Sequence, residues 1–277
     1  MKKIQIIDNQ NRNLKSYFVE LIESRNIIFE FFKRDIKTLY TQSLFGPLFY
    51  FFLPIVQCSI FSLLIDIFSN SKNIKIDNFI DIMPVMICWN LITYTVNKSS
   101  ASYINNNKII NKVYFSRLIF FTYPFFLSLF NFTIQFITFF IIYILLYNDF
   151  NLANLTRLFI LPLVILYTFF LCISTSMLVA SVSLKYRDII YILNYVLQLG
   201  MFLSPVLYSL SSLTGFKLTL ISLNPFSTIA ESVRWIFFNK TINDSSFIVI
   251  NLLTVFFLLI LSFFFFRKQE KIIADYI

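Results

Sequence analysis

Long apolar stretches separated by short polar ones make up most of the chain. The stretches are continuously apolar rather than alternating, which favours helices over a β-barrel. Each supplies roughly the 20 residues that a helix needs to cross a hydrocarbon layer of about 30 Å. The second is the shortest and contains Asp81 and Asn90. The pattern predicts an all-α polytopic membrane protein with six transmembrane helices, over residues 44–68, 80–96, 118–147, 158–184, 189–208 and 247–266.

The residues before the first span differ from the rest. Residues 1–15 are polar, and residues 16–40 place Phe18, Leu21 and Phe29 on one helical face and charged residues on the other. An amphipathic helix next to a span typically lies flat in the membrane interface. A solvated helical linker is the alternative. We therefore divide the chain into a cytoplasmic lead with an interface helix, residues 1–43, and a single transmembrane domain, residues 44–277.

The stretch before the last span is moderately apolar but interrupted. Gly215, Lys217, Pro225, Glu231 and Arg234 break it. We interpret residues 213–238 as a re-entrant or interfacial hairpin rather than a further span.

Composition and charge agree with a membrane protein and predict its orientation. The 277 residues are 58% hydrophobic and 13% charged, where a soluble domain carries about 25% charged residues. The segments that would share a side with the two termini contain 17 Lys and Arg, and those on the other side contain 6. The positive-inside rule then predicts that both termini are cytoplasmic. The net charge of +9 is explained by this topology, so we expect no nucleic-acid partner.

The residue types that most catalytic sites need are scarce. The chain has no His and only three isolated glycines, so a His-based general base and a phosphate-binding glycine loop are excluded. Cys58, Cys88 and Cys172 fall inside predicted spans and are interpreted as packing residues. The span centres are nearly free of charge, whereas ion-coupled transporters place ionisable groups there. Energy for any transport must then come from elsewhere, and a separate ATP-hydrolysing subunit is the simplest source.

Tyrosines within the spans are candidates for a transport path. A Tyr hydroxyl in lipid needs a partner, and aromatic faces let sugar rings slide without tight binding. The alternative is that these rings only pack or form an interface belt. The candidate channel-lining residues are Tyr94, Tyr143, Tyr167, Tyr191 and Tyr195.

Five short motifs, in order along the chain, resemble type-2 ABC exporter permeases for polysaccharides. Residues 34–40 (RDIKTLY) with residues 43–48 (SLFGPL) resemble the start of that family's first span. The others are residues 112–117 (KVYFSR), 185–188 (KYRD), 203–208 (LSPVLY) and 224–226 (NPF) with Glu231 and Arg234. The family usually has proline where this chain has Ser116. The resemblance covers nearly the whole chain, but nothing in it identifies the sugar.

The resemblance implies an assembly. Two copies would form a homodimer with a channel between them, and two copies of an ABC ATPase subunit would dock on the cytoplasmic face. ATP and Mg would be bound by that partner, and this chain would carry no cofactor and be no enzyme. The cargo would be a lipid-linked glycan such as an O-antigen, teichoic acid or capsule precursor, exported across the bacterial inner membrane.

The resemblance also implies roles for particular segments. Residues 102–113 would form a coupling helix seated in the ATPase, although a plain connecting loop is the alternative there. The interface helix would form a cytoplasmic gate, where basic residues meet a phosphate headgroup or only set the topology. Residues 209–239 would form an extracytoplasmic gate. The candidate residues are Asn105, Lys108, Ile109 and Lys112 for coupling; Lys33, Arg34, Lys37 and Arg187 for the cytoplasmic gate; and Pro205, Tyr208, Pro225, Glu231 and Arg234 for the extracytoplasmic gate.

Other functions stay open at this point. The same fold can export a drug or a small lipid. A membrane-embedded envelope transferase is less favoured because an acid–base constellation is missing. A structural membrane protein would show no dependence on an ATPase.

Overall fold

A computed structural model describes residues 14–41, 46, 48–68, 76–106, 116–146, 156–183, 186, 188–240 and 245–276 of the chain. These residues form ten α-helices and two short 3₁₀ turns, with no strand in the described part. The helices are α1 (Leu14–Glu23), α2 (Arg25–Thr41), α3 (Leu48–Phe68), α4 (Ile76–Asn105), α5 (Ile119–Leu146), α6 (Leu161–Ser183), α7 (Ile189–Leu203), α8 (Phe216–Ser222), α9 (Pro225–Phe238) and α10 (Ser245–Tyr276).

Five helices are long and apolar enough to cross a membrane. They are α3, α4, α5, α6 with the 3₁₀ turn before it, and α10. All five coincide with predicted spans, so the prediction of a helical multi-pass membrane protein is confirmed. Helix α4 extends well beyond the predicted residues 80–96 at both ends.

The fifth predicted span, residues 189–208, is shorter than expected. Helix α7 ends at Leu203 instead of continuing to residue 208, because Ser204 is extended and Pro205 cannot continue a helix. Its 15 residues measure about 22 Å, which is less than a hydrocarbon layer. A sixth crossing therefore stays a prediction.

Helix α4 lies at the centre of the bundle and packs against α3, α5, α6, α7 and α9. Of the five candidate spans it has the lowest mean hydropathy, 1.5, and the largest buried share, 72%. Helix α10 has the highest mean hydropathy, 2.8, and the smallest buried share, 17%. The polarity of each helix thus follows its surroundings, because neighbouring helices can satisfy polar groups that lipid cannot.

The N-terminal segment forms two helices that meet at Ser24, where a single helix was predicted. Helix α2 is attached to the bundle through Phe31, which is 7% exposed. The Phe31 ring stacks on Tyr123 at a centroid distance of 5.3 Å and meets Phe120 edge-on at 5.8 Å. This apolar cluster, which also includes Met177 and Phe266, joins α2 to α5, α6 and α10.

Candidate functional site

Three amide side chains form a polar seam between the candidate spans. The Nδ2 of Asn90 on α4 donates to the Oε1 of Gln57 on α3 at 3.0 Å and to the Oε1 of Gln135 on α5 at 3.2 Å. An amide in an apolar medium is costly unless it is hydrogen-bonded, so these contacts hold three helices together. They also leave strongly polar but uncharged groups in the interior of the bundle.

Two cavities lie on either side of this seam. A cavity of about 230 Å³ between α3, α4 and α5 is lined by Tyr50, Tyr94 and Asn131, among others. A cavity of about 450 Å³ between α3, α4 and α7 is lined by Gln57, Trp89, Asn194, Gln198 and Phe202, among others.

One edge of α4 faces both cavities. Asn90, Thr93 and Asn97 line the two of them. Among the described residues, every side chain in both linings is uncharged. The walls therefore offer neutral hydrogen-bond donors and acceptors together with aromatic rings, which is the chemistry that binds neutral polar molecules.

The five predicted channel tyrosines do not line one surface. Tyr94 lines the smaller cavity. Tyr143 donates to the carbonyl of Phe237 at 3.1 Å, and Tyr167 donates to the carbonyl of Pro225 at 3.1 Å, so both connect helices within the subunit. Tyr191 and Tyr195 lie on the outer face of α7 and are 71% and 69% exposed.

No role was predicted for the amides of the seam, although Asn90 stands out in the shortest predicted span. Their signal is present in the sequence, because Gln57, Asn90 and Gln135 are isolated amides inside apolar stretches. An amide among apolar residues must find a partner, and that requirement could have singled them out.

A second polar cluster joins α2 to the end of α4. Asp35, which is 6% exposed, accepts from the guanidinium of Arg34 through Oδ1 and forms an ion pair with Lys98, whose Nζ lies 3.1 Å from Oδ2. The Nη1 of Arg34 also donates to the Oδ1 of Asn106 at 3.0 Å, and its guanidinium lies 4.8 Å from the centre of the Phe31 ring. Arg34 is thus engaged within the subunit.

The other residues predicted for the cytoplasmic side have different placements. Lys33 and Lys37 are exposed on α2, on the side away from Asp35. Asn105 is exposed at the last position of α4, so residues 102–105 of the predicted coupling helix continue the helix of the second span. Lys108, Ile109, Lys112 and Arg187 lie outside the described residues.

The residues predicted for the extracytoplasmic gate come together. Arg234, which is 3% exposed, donates to the carbonyls of Pro205 at 2.8 Å and Val206 at 2.9 Å. Asn224 donates to the Oγ of Ser204 at 2.9 Å and caps the start of α9 by accepting from the amide of Phe226. Two motifs that lie about twenty residues apart therefore form one folded unit.

The charge of Arg234 is buried within this unit. Burial lowers the pKa of the Arg234 guanidinium from its usual value, and the carboxylates of Asp81 and Glu231 oppose that shift. Arginine stays charged over any physiological pH, so the site holds a permanent buried cation.

The unit is also tied to the start of α4, because Lys240 forms an ion pair with Asp81. Asp81, the acidic residue noted in the second predicted span, therefore has a cationic partner. Tyr208 and Glu231 lie half-buried in the same region.

Helix α9 is further fixed to the last span. Asn251 on α10 is fully buried, and its Nδ2 donates to the hydroxyl oxygens of Ser227 and Thr228 and to the carbonyl of Ser222. Tyr167 of α6 contacts the carbonyl of Pro225 and, at 3.3 Å, that of Asn251. Pro225 thus takes part through its backbone at the first turn of α9.

Fold and site together define a class of protein: a multi-pass helical membrane subunit with neutral polar cavities between its helices. Within the described residues, no group of side chains could hold a metal ion. The chain belongs to the ABC-2 type transporter family, whose model matches residues 27–238. It is therefore a membrane transport subunit rather than an enzyme, and the ATPase in this family is a separate subunit.

A curated relative agrees with the family. The chain is 22% identical to the O-antigen export system permease protein RfbA of Myxococcus xanthus. The similarity extends over 230 residues, which is 82% of this chain and 85% of that protein. The region that matches the family model contains both the Arg34 cluster and the Arg234 unit.

Proposed function

We propose that this chain is the permease subunit of an exporter that moves a lipid-linked polysaccharide across the bacterial cytoplasmic membrane. The observation that carries the proposal is the neutral amide and aromatic lining of the two cavities beside α4. Sugar hydroxyls pair with amides, and the C–H faces of sugar rings pack on aromatic side chains. The name of the relative from Myxococcus xanthus supports the same class of cargo.

Two copies of the chain would enclose the path. Helix α7 has a strongly exposed apolar face that includes Tyr191, Tyr195 and Leu199. The larger cavity lies between this helix and α3. A second copy placed against α3 and α7 would cover that face and close the cavity into a channel. In that arrangement Tyr191 and Tyr195 belong to the channel wall or to the contact between copies.

The energy would come from the partner. ATP and Mg would bind to the separate ATPase, and residues 102–113 would form the coupling helix that contacts it. Asn105, Lys108, Ile109 and Lys112 are the proposed contacts. Because α4 is continuous to Asn105, a push on this segment would act on the helix that lines both cavities.

The two gates would lie at opposite ends of the path. With both termini in the cytoplasm, α2 would form the cytoplasmic gate, where the exposed Lys33 and Lys37, together with Arg187, meet the phosphate of the cargo. Arg34 would instead hold α2 in place through Asp35 and Asn106. Residues 209–239 would form the extracytoplasmic gate as a re-entrant hairpin, with α7 and residues 204–208 completing a sixth crossing.

The test is export in the native host. In a strain that lacks the chain, surface polysaccharide should disappear and lipid-linked polymer should accumulate inside, and the wild-type chain should restore export. The double variant Asn194→Leu, Gln198→Leu should restore it poorly. We expect a rate about tenfold lower, the effect of losing roughly 1.4 kcal/mol of hydrogen bonding along the path.

The matched control is Thr254→Val on α10. It also replaces a polar side chain in a span, and the hydroxyl it removes donates to the carbonyl of Asn251 in its own helix and to no other described residue. It should export normally. If deletion leaves the surface polysaccharide intact and instead changes sensitivity to drugs or the lipid composition, the cargo is a drug or a small lipid and the glycan proposal is wrong.

A further inference from the structure

An apolar groove lies where α2 meets α5, away from the cavities beside α4. Its volume is about 440 Å³. Helix α2 contributes side chains one turn apart and α5 contributes the facing turn, so the walls are almost entirely apolar. The principal lining residues are Ile28, Phe29, Phe32, Phe126, Leu129 and Phe130.

The groove opens toward lipid. Helix α5 is a candidate span, and Phe126 on it is 45% exposed. The exposed surface continues along the same helix at Ile137 and Ile141. Phe29 on the other wall is 60% exposed. An apolar groove of this kind does not hold water, and at membrane depth the molecules that reach it are lipid chains.

An aromatic contact between α2 and α5 forms part of the groove. Phe32 and Phe130 meet edge-on with a centroid distance of 6.3 Å, which connects the two helices beneath the opening. On its other face α2 is held by Phe31 and Asp35. One wall of the groove therefore belongs to a helix that is attached to the bundle through residues outside the groove.

A single cation lies at one end. Arg25 is the charged residue of the lining, one helical turn before Phe29. In the described part of the chain no carboxylate forms an ion pair with it, whereas Arg34 further along α2 is engaged by Asp35 and Asn106. A guanidinium beside an apolar groove is complementary to a phosphate that carries an acyl chain.

We infer that this groove binds an anionic phospholipid from the leaflet on the side of α2, with an acyl chain along Phe29 and Phe126 and the phosphate on Arg25. The bound lipid would fill the space between α2 and α5 and so help to set the position of α2. The inference depends on the membrane location of the chain and not on the identity of the cargo, so it can fail or hold independently of the proposed export of a polysaccharide.

The test uses the full chain in phosphatidylcholine vesicles that contain a minor fraction of phosphatidylglycerol. A tryptophan reporter replaces Phe29, and bromine on the acyl chains of one lipid or the other quenches the tryptophans it touches. Signals from Trp89 and Trp235 are subtracted by means of the unmodified chain. We expect brominated phosphatidylglycerol to be enriched about fivefold over its bulk share at Phe29→Trp, the effect of one basic residue on an anionic lipid.

Two comparisons isolate the site. A reporter at Phe256→Trp, on a 62% exposed position of α10, should see the two lipids in their bulk ratio. Arg25→Gln should remove the enrichment at Phe29→Trp, and Lys268→Gln, which removes an exposed cation from α10, should leave it unchanged.

Three results would overturn the inference. They are a bulk ratio at Phe29→Trp, an enrichment that survives Arg25→Gln, and displacement of phosphatidylglycerol from the groove by a polyprenyl diphosphate added in small amount. The last result would assign the groove to the cargo.

Discussion

The guanidinium of Arg34 donates a 3.0 Å hydrogen bond to the side-chain oxygen of Asn106, which lies 72 positions further along the chain. Asn106 follows directly after α4 and lies between Asn105 and Lys108, two of the proposed ATPase contacts. The bond thus joins the proposed cytoplasmic gate helix to the proposed coupling segment. A movement of one would be transmitted to the other through two side chains, with Asp35 fixing the guanidinium.

Asp35→Asn should weaken this joint. The buried carboxylate forms ion pairs with Arg34 and Lys98, and a neutral amide leaves both cations without their counter-charge. Because both cations are partly exposed and screened, we expect a loss of about 1–2 kcal/mol, seen as a lower melting temperature in detergent. Reaction of the buried Cys58, Cys88 and Cys172 with a thiol dye reports the unfolding.

The same variant should uncouple the ATPase from transport. Glu30→Gln, an exposed carboxylate on the same helix, is the matched control and should change neither property. Normal melting and normal ATPase stimulation in Asp35→Asn would show that the joint has no mechanical role.

Arg234 should be the most sensitive residue of the extracytoplasmic side. Arg234→Met leaves the carbonyls of Pro205 and Val206 without donors, and we expect a loss of about 3–5 kcal/mol or a failure to accumulate. Arg234→Lys keeps the charge but cannot reach both carbonyls in the geometry of a guanidinium, so a loss of about 1–3 kcal/mol is expected. Thermal melting of the two variants beside Lys217→Met, an exposed cation on α8, gives the measurement. Equal stability of all three would contradict the anchoring role.

The amide seam allows a structural role to be separated from a role in transport. Asn90→Leu leaves Gln57 and Gln135 with unpaired oxygens, and it should cost about 1–2 kcal/mol of stability. The triple change to Leu at Gln57, Asn90 and Gln135 removes every partner together, so stability should return toward that of the wild-type protein. Export should nevertheless stay low in the triple variant, because the cavity walls have lost three of their amide groups. Full export by a stable triple variant would mean that the seam only holds helices together.

The ion pair between Asp81 and Lys240 should behave as a partly exposed one. The two side chains are 26% and 41% exposed. A double-mutant cycle with Asp81→Asn and Lys240→Gln should give a coupling energy of about 0.5–1 kcal/mol at low salt, and less at high salt because of screening. The charge-swapped variant, Asp81→Lys with Lys240→Asp, should recover part of the stability that either single reversal loses. A coupling energy of zero at low salt would show that the pair only marks the end of a helix.

Hydropathy was sufficient to predict the candidate spans, because the cost of exposing polar backbone to lipid acts on each helix separately. It overestimated the length of α7, although Pro205 stands in the sequence where that helix stops being regular. The pairing of Arg234 with the carbonyls of Pro205 and Val206 was not predictable in the same way. Both motifs were noticed, but a local pattern contains no information on which distant backbone groups lack a donor.

In the candidate site, too, residue type could be predicted from the sequence but the contacts of each side chain could not. Tyr94 was predicted to line the transport path because it is a tyrosine in a span, and it does line a cavity. The hydroxyls of Tyr143 and Tyr167 instead donate hydrogen bonds to backbone carbonyls of other helices. Which of these two outcomes a span tyrosine meets depends on the rotation of its helix in the bundle. That rotation is set by packing among several helices at once, and a one-dimensional pattern does not determine it.

The central position of α4 bears on how the protein is made. During synthesis α4 leaves the ribosome before α5 and α6, the helices that later enclose it. Until α5 arrives, Gln135 is missing and Asn90 has only Gln57 as an amide partner, so the nascent helix would meet lipid with much of its polar surface uncovered. We therefore expect the insertion machinery to hold α4 until α5 has been made, so that the two helices enter the bilayer as a pair rather than one at a time.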